Sequence, residues 1–338
     1  MLIAWIRRLI FVITDWREMI WAQKGTENMQ IRRESLLHRM RKDFITNKYV
    51  YLMLIPVLAF YIVFKLGPMT RMVIAFQDYK PFKGIAGSEF ILFENFTTFF
   101  NSRDFWRLLR NTLLLSLYGL IFRFPVSILF ALMINEIQHS FGKRIVQTVS
   151  YMPHFISTVV ICGLIRNFVS SEGIVNQIIN FFNVARQGEN LLGNPVYYRS
   201  IHVLSDIWQQ TGWDSILYLA TLSTIDPEQY EAAYIDGANK LQRIFHVTLP
   251  GLVPVSTRQF IMWVGFTMTL GYEKNLLLYN PAIYETADVI GTYIYRYCLM
   301  NTKYGLGAAV GVFNTVVNII LLFSVNALFK RFSENSLW

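Results

Sequence analysis

The sequence predicts an all-α membrane protein with six transmembrane helices, and three observations lead there. Of 338 residues, 54% are hydrophobic and only 16% charged, with a mean hydropathy of +0.35; soluble domains average about 45–50% apolar and about 25% charged. Several apolar runs reach roughly 20 residues, the length a helix needs to cross a bilayer. Their unbroken apolar character excludes a β-barrel, whose strands would alternate in short segments. The two cysteines, Cys162 and Cys298, support no disulfide framework and no metal spacing. A net charge of +9, partly concentrated at the N-terminus, reads as a topology signal. No basic stripe interleaved with aromatics suggests nucleic acid.

Residues 1–48 read as an N-terminal extension. From Met1 to about Gln23, Trp5, Ile6, Leu9, Ile10, Ile13 and Trp16 recur at helical spacing among charged residues. That pattern suits either an amphipathic helix on the membrane surface or a packed terminal extension, and it lacks a signal-peptide cleavage site. Lys24 to Lys48 is a basic linker. The first span runs from about Tyr49 to Phe64. Leu66 to Arg110 is a long outer segment, ending in an aromatic-rich stretch, Phe96 to Trp106, suited to the membrane interface. The second span is about Asn111 to Ile134. The third is about Ile145 to Val169, with a kink expected at Pro153. The fourth is about Ile201 to Leu222, the fifth about Leu252 to Tyr272 and the sixth about Leu306 to Phe329. Between the last two, Glu273 to Lys303 reads as an outer loop with a short helix. The transmembrane domain is therefore 49–330, followed by a tail at 331–338. An even number of spans puts both termini on one side, and the basic N-terminus, Lys143-Arg144 and Lys330-Arg331 make that side cytoplasmic.

One polar, patterned segment, 226–251, is set between the fourth and fifth spans, on the cytoplasmic side. Asp226 is placed to cap a helix opened by Pro227, with Glu228 and Glu231 near its positive end. Gly237 permits a sharp turn, a second helix follows from Asn239 to Thr248, and Pro250 is expected to stop it.

Catalytic chemistry is not apparent. Gly142-Lys143-Arg144 lacks the remaining residues of a phosphate-binding loop, and no metalloprotease or nucleophile-elbow motif is present. The chain is therefore expected to be no enzyme, to hold no metal or cofactor, and to leave ATP hydrolysis to other subunits. Polar residues inside spans carry more weight, because burying them in lipid is costly. Asp206, Gln209, Gln210 and Trp213 fall at i, i+3, i+4 and i+7 of the fourth span, on one helical face. They either line a sugar path, through hydrogen bonds and ring stacking, or hold helices together. Arg123, beside Pro125 in the second span, either pairs with a buried carboxylate or carbonyl or faces a water-filled route. Glu273 either guards the outer entrance or sits at the interface. Gly307 and Gly311 form a small-xxx-small pair for close helix approach, within the chain or at a seam with a partner.

Glu231-Ala232-Ala233, with Tyr234-Ile235-Asp236-Gly237 and then Leu249-Pro250, resembles the EAA loop of permease subunits of bacterial ABC importers. Tyr151-Met152-Pro153, Ile225-Asp226-Pro227, Leu278-Tyr279-Asn280-Pro281, Thr286-Ala287-Asp288-Val289-Ile290 and Ser336-Leu337-Trp338 are similar to the oligosaccharide and polysaccharide branch of that family. The resemblance runs from about Tyr49 to Trp338. It implies a type I importer fold in the bacterial cytoplasmic (inner) membrane, with Glu231, Ala232, Ala233, Asp236, Gly237, Leu249 and Pro250 docking on an ATPase. It further implies a second homologous permease, two ATPase subunits that bind ATP and Mg, and an extracytoplasmic sugar-binding protein. The family implies a small residue where Arg123 stands, and this departure points to an acidic substrate; within the branch, the resemblance favours an importer of acidic sugars such as alginate or its oligosaccharides. A secondary, ion-coupled sugar transporter is the alternative, although no internal repeat supports it.

Overall fold

The computed structural model describes residues 43–182, 188–269 and 271–332. The expected amphipathic N-terminal stretch and most of the tail lie outside the described residues. Two compact units meet in sequence at Pro68 and Met69, and each is described by itself. In the first, α1 (Lys48–Tyr61) leads into a widened helical turn, Ile62–Leu66. The helix is apolar on all sides and buries no residue within the unit, the pattern of a span rather than of a helix against a soluble core.

The second unit opens with a tight helical segment, Arg71–Phe76, followed by a two-stranded antiparallel ribbon, β1 (Gln77–Asp78) and β2 (Glu89–Phe90). It is otherwise helical: α2 (Glu94–Phe100), α3 (Phe105–Tyr118), α4 (Phe124–Asn135), α5 (Ser140–Tyr151), α6 (Thr158–Phe168), α7 (Ile174–Phe182), α8 (Pro195–Leu222), α9 (Pro227–Ile235), α10 (Lys240–Arg243), α11 (Leu249–Gly265), α12 (Tyr272–Leu278), α13 (Tyr284–Ala287), α14 (Ile290–Tyr293) and α15 (Tyr304–Phe332). Among the described residues, three stretches are long and apolar enough to cross a membrane unaided: Lys48–Phe76, Phe105–Asn135 and Tyr304–Arg331. The other three expected spans differ for identifiable reasons. α8 is long enough, but it carries Arg199, Asp206 and Asp214 besides two glutamines. α11 is 17 residues and ends early. The third span is broken.

Prolines set much of the helical geometry. Three widened turns, Ile62–Leu66, Gly119–Arg123 and Ile244–Thr248, each end two residues before a proline: Pro68, Pro125 and Pro250. A proline ring clashes with the carbonyl four residues back and offers no N–H. Widening the turn lets the helix pass this point instead of ending. Pro250 thus does not stop a helix, as the sequence reading expects; it lies in the first turn of α11, and the helical path from α10 continues through it. Pro153 does more than kink the third span. Met152–Phe155 forms a tight turn, Ile156 is extended, and α5 with its tight turn meets α6 at 99°. Ser157 then caps α6 by accepting from the Val160 amide at 3.4 Å.

The fifth span stops at Gly265, short of the expected Tyr272, and the freed backbone is bonded by the last helix and by α3. Asn318 Oδ1 accepts from the Met268 amide at 2.8 Å, Asn314 Nδ2 donates to the Met268 carbonyl at 2.8 Å, and Ser116 Oγ donates to the Thr267 carbonyl at 2.5 Å. Irregular backbone at membrane depth is tolerated only where such partners or a wet cavity satisfy it.

The expected outer loop Glu273–Lys303 is instead a core element. Leu278, Ile283, Ala287, Val289 and Ile290 are at most 1% exposed and pack with Leu115, Ile161, Tyr198, Phe99 and Leu306 in two apolar clusters. Asp288, fully buried, fixes it: its carboxylate accepts from Arg296 at 2.7 Å, Arg107 at 3.1 Å and Thr292 Oγ1 at 2.8 Å. Asn111 donates to the Glu285 and Asp288 carbonyls and accepts from Arg199. Close helix approach occurs at Gly305 and Gly307, where an added Cβ would press on Gln77 or Cys298, whereas Gly311 faces open space. The expected small-residue pair is therefore not a single packing seam. Both cysteines are buried and free. Burial pushes the Cys298 thiol up to about 12, so it acts as a packing residue and not as a reactive thiolate.

Asp288→Ala leaves two arginines without their shared carboxylate, a loss of about 3–5 kcal/mol for a broken buried pair. The expected outcome is a several-fold drop in membrane-inserted protein on immunoblot, with Asp288→Glu intermediate. Wild-type levels in Asp288→Ala would show that the node is dispensable.

Candidate functional site

A cavity of about 400 Å³ opens among α3, α8, α11 and α12, within the range of small-ligand sites. Two irregular backbone segments line it: the widened turn at Gly119–Arg123 and the break after Gly265, through Phe266, Thr267, Thr269 and Gly271. Its polar wall comes from Arg123, His202, Asp206 and Lys274, and its apolar wall from Leu115, Leu120, Val203 and Trp263.

Arg123 is the centre of the polar wall. Its Nε and Nη2 donate to Asp214 at 2.7 and 3.0 Å, and Nη1 donates to Asp206 Oδ2 at 2.9 Å. Asp206 and Asp214 are eight residues apart on α8, about 12 Å along the axis, and their side chains converge on one guanidinium. Trp263 packs against the guanidinium, 4.7 Å from its ring centroid, a favourable cation–π distance. Lys274 Nζ donates to Asp206 Oδ1 and to the His202 carbonyl, both at 3.3 Å. Two cations and two carboxylates thus balance. In a low-dielectric surrounding none of the four is tolerated alone.

The residues singled out from the sequence separate into distinct places. Arg123 has both of its anticipated roles, since it pairs with carboxylates and lines the cavity. Of the four-residue face on α8, Asp206 turns to the cavity. Gln210 Oε1 lies 2.7 Å from His154 Nδ1, and the Trp213 ring stacks on His154 at 4.3 Å and 3°. Gln209 is buried outside the cavity lining. One helical stripe therefore serves two neighbours, because α8 packs on α4 and on the broken α5–α6 unit at once. Glu273 is exposed and does not line the cavity; its neighbour Lys274 is the buried charge. Sequence reasoning passed over Asp214, Lys274, Asn314 and Asn318. Asp214 carries the plainest signal, a second carboxylate inside an expected span. Asn314 and Asn318, four apart in the sixth span, carry the same kind.

The polar segment 226–251 is built as a rigid projection. Asp226 Oδ1 accepts from the Glu228 amide at 3.0 Å, and Pro227 opens α9. Gly237, at φ +77°, ends it. The Gly237 amide donates to the Tyr234 carbonyl at 3.0 Å and the Ala238 amide to the Ala233 carbonyl at 2.9 Å, the bonding of a Schellman cap. Asn239 and Gln242 form a reciprocal capping box at 2.8 and 2.9 Å. Tyr230 bonds Thr248 at 3.1 Å, and Lys240 meets Glu136, just past the end of α4, at 2.6 Å. Among the marked residues, Glu231, Ala232, Asp236, Gly237 and Pro250 are exposed, and Ala233 and Leu249 are half-buried. Beside them Tyr234, Ile235, Leu241 and Phe245 expose 62–83% of their surface. A surface of large apolar groups on a well-capped knob is the kind that marks a protein contact.

Spans enclosing a polar cavity, joined to an exposed rigid knob, define a membrane permease that works with other proteins. Residues 123–334 match the family described as binding-protein-dependent transport system inner membrane component, and the chain belongs to that family. It is 38% identical over 320 residues to the polygalacturonan/rhamnogalacturonan transport system permease protein YteP of Bacillus subtilis (strain 168), covering 94% of this chain and 98% of that one. It is 39% identical over 293 residues to protein LplB of the same organism, covering 86% and 92%. Among solved structures it matches a bacterial ABC transporter involved in the import of the acidic polysaccharide alginate, at a TM-score of 0.78 and 39% identity, covering 87% of this chain and 99% of that one. A second, the bacterial alginate ABC transporter in complex with alginate pentasaccharide-bound periplasmic protein, matches at a TM-score of 0.79 and 37% identity, covering 88% and 100%. Family membership decides against the ion-coupled alternative.

Arg123→Gln should strand Asp214 and leave Asp206 with Lys274 alone. Adding Asp214→Asn should recover part of the loss, with a coupling of about 1–3 kcal/mol in a double-mutant cycle. Thermal unfolding of the purified protein tests this, and additive effects of the two changes would contradict the pairing.

Proposed function

We propose that the chain is the path-forming permease subunit of an ABC importer for acidic oligo- or polysaccharides, itself non-catalytic and without a cofactor. It works with a second permease, two ATPase subunits and an external sugar-binding protein. In this reading 49–330 is the permease domain, 226–251 its coupling segment, and 1–48 and 331–338 its cytoplasmic flanks in a bacterial inner membrane.

The observation that carries the reading is the capped, exposed knob at Pro227–Ile235. A short helix with small residues at Ala232 and Ala233 lies close in a groove. Glu231 offers a charge-assisted bond to a basic group, and Tyr234 and Ile235 supply apolar area. Closure of the ATPases would move this knob, and the ion pair Glu136–Lys240 passes the motion to α4, whose far end carries Arg123. Such coupling is only as large as the difference in contacts between the two states, so a rigid knob matters. The acidic preference is supported by Arg123 and Lys274 on the cavity wall and by the acidic polymers named for the relatives.

Two tests follow. Glu231→Lys reverses the charge of the knob, and Gly237→Leu places a bulky side chain at positive φ, a strain of roughly 1–2 kcal/mol. Each is expected to lower sugar uptake at least about tenfold in membranes that retain the protein; wild-type uptake would remove the coupling role. Arg123→Gly is expected to impair uptake of an anionic oligosaccharide more than that of a neutral one of equal length, and equal effects would sink the acidic preference.

A further inference from the structure

The two aspartates that meet Arg123 occupy different positions. Asp214 grips Nε and Nη2 and is not among the residues lining the cavity. Asp206 lines the cavity and lies between its two cations, 2.9 Å from Arg123 Nη1 and 3.3 Å from Lys274 Nζ. One carboxylate holds the guanidinium from behind; the other is a shared counter-ion inside the space a ligand would use.

We propose that Asp206 is an exchangeable stand-in for the carboxylate of a sugar acid. As a uronate passes, its carboxylate takes the place of Asp206 on Arg123 Nη1 and Lys274 Nζ, and Asp206 returns when the sugar leaves. The inference rests on the acidic-sugar reading and deepens it, because it explains how a cationic path lets an anion go. Two cations without a counter-ion in a low-dielectric cavity would hold a carboxylate strongly, and tight holding slows release. With Asp206 resident, the substrate gains only the difference between its own contacts and those it displaces. The bidentate grip of Asp214, the stronger geometry, keeps Arg123 in place through the exchange, with Trp263 against the guanidinium face. The longer contact, at Lys274, is the one that yields first. Phe266 on the same wall, well exposed, offers a flat face to a sugar ring.

The test uses the whole purified transporter and two probes, a short oligogalacturonate and its methyl ester, which has the same backbone without the charge. Asp206→Asn is expected to bind oligogalacturonate about tenfold more tightly than wild type and to turn it over about tenfold more slowly. Affinity for the ester should stay within about twofold, and Asp206→Glu, which keeps the charge, should not tighten oligogalacturonate binding as Asp206→Asn does. A purely structural Asp206 would weaken handling of both probes alike without tightening either, and that pattern overturns the proposal, as do unchanged constants. If Asp206→Asn does not assemble, Lys274→Gln replaces it: oligogalacturonate binding is then expected to weaken about tenfold with the ester unchanged, and an equal change in both overturns the exchange. A wild-type transporter that neither binds nor imports acidic oligosaccharides refutes the acidic-sugar reading, and the exchange with it. Wild-type import with the wrong variant pattern refutes the exchange alone.

Discussion

Three helices and a re-folded segment depend on one guanidinium. Arg123 ends a widened turn ahead of α4, is held by two aspartates of α8, packs on a tryptophan of α11, and shares Asp206 with a lysine of α12. In water such a cluster would contribute little. Among apolar helices the balance changes, because each charge is costly without its partners and the four must be assembled together. The cluster is thus a constraint on helix placement before it is anything else.

The same logic runs through the polar interior. The break in the fifth span survives because Asn314 and Asn318 satisfy it. The segment 272–300 folds inward because Asp288 gathers two arginines and Asn111 bonds its carbonyls. At the other end, the capped knob of α9 is stiffened by its caps and by the Tyr230–Thr248 bond, and its segment meets α4 through the Lys240–Glu136 ion pair and through an apolar cluster that joins Ile244 and Leu249 to Ala131 and Leu132. α4 is 12 residues long, about 18 Å, with the knob's partner Glu136 just past one end and Arg123 just before the other. The knob segment and the charge cluster thus lie against opposite ends of the same helix.

Much of this was legible from residues. The apolar runs located the first, second and sixth spans, since lipid leaves a backbone few options but helices, whereas the third, fourth and fifth are broken, more polar or shorter than the runs suggest. The caps of the knob were readable at Asp226, Pro227 and Gly237 because capping is local chemistry, decided within four residues. Arg123 stood out because a lone charge in a span demands an explanation. The stripe at Asp206, Gln209, Gln210 and Trp213 was a correct statement about one helix and an incomplete one about the site, since periodicity says which residues share a face and not how many neighbours that face meets. Glu273 drew attention in place of Lys274 because an acid at a span end looks functional until packing shows which of two adjacent side chains points inward. Pro250 looked like a stop because the rule for proline is a local one, and a widened turn is the less frequent way around it.

The sequence by itself determined what the solvent and the nearest few residues control: a helical membrane protein, the sites of its prolines, the capped knob between two spans, and a charge within a span that had either to be paired or to face water. Tertiary structure alone decided which aspartates pair with it, that residues 272–300 are core instead of loop, and that α5 and α6 meet at a near right angle. The reason is range. Capping and periodicity act over one or two turns, whereas the pairing of Arg123 with Asp214 spans 91 positions, and no local pattern fixes which distant partner a buried charge will meet.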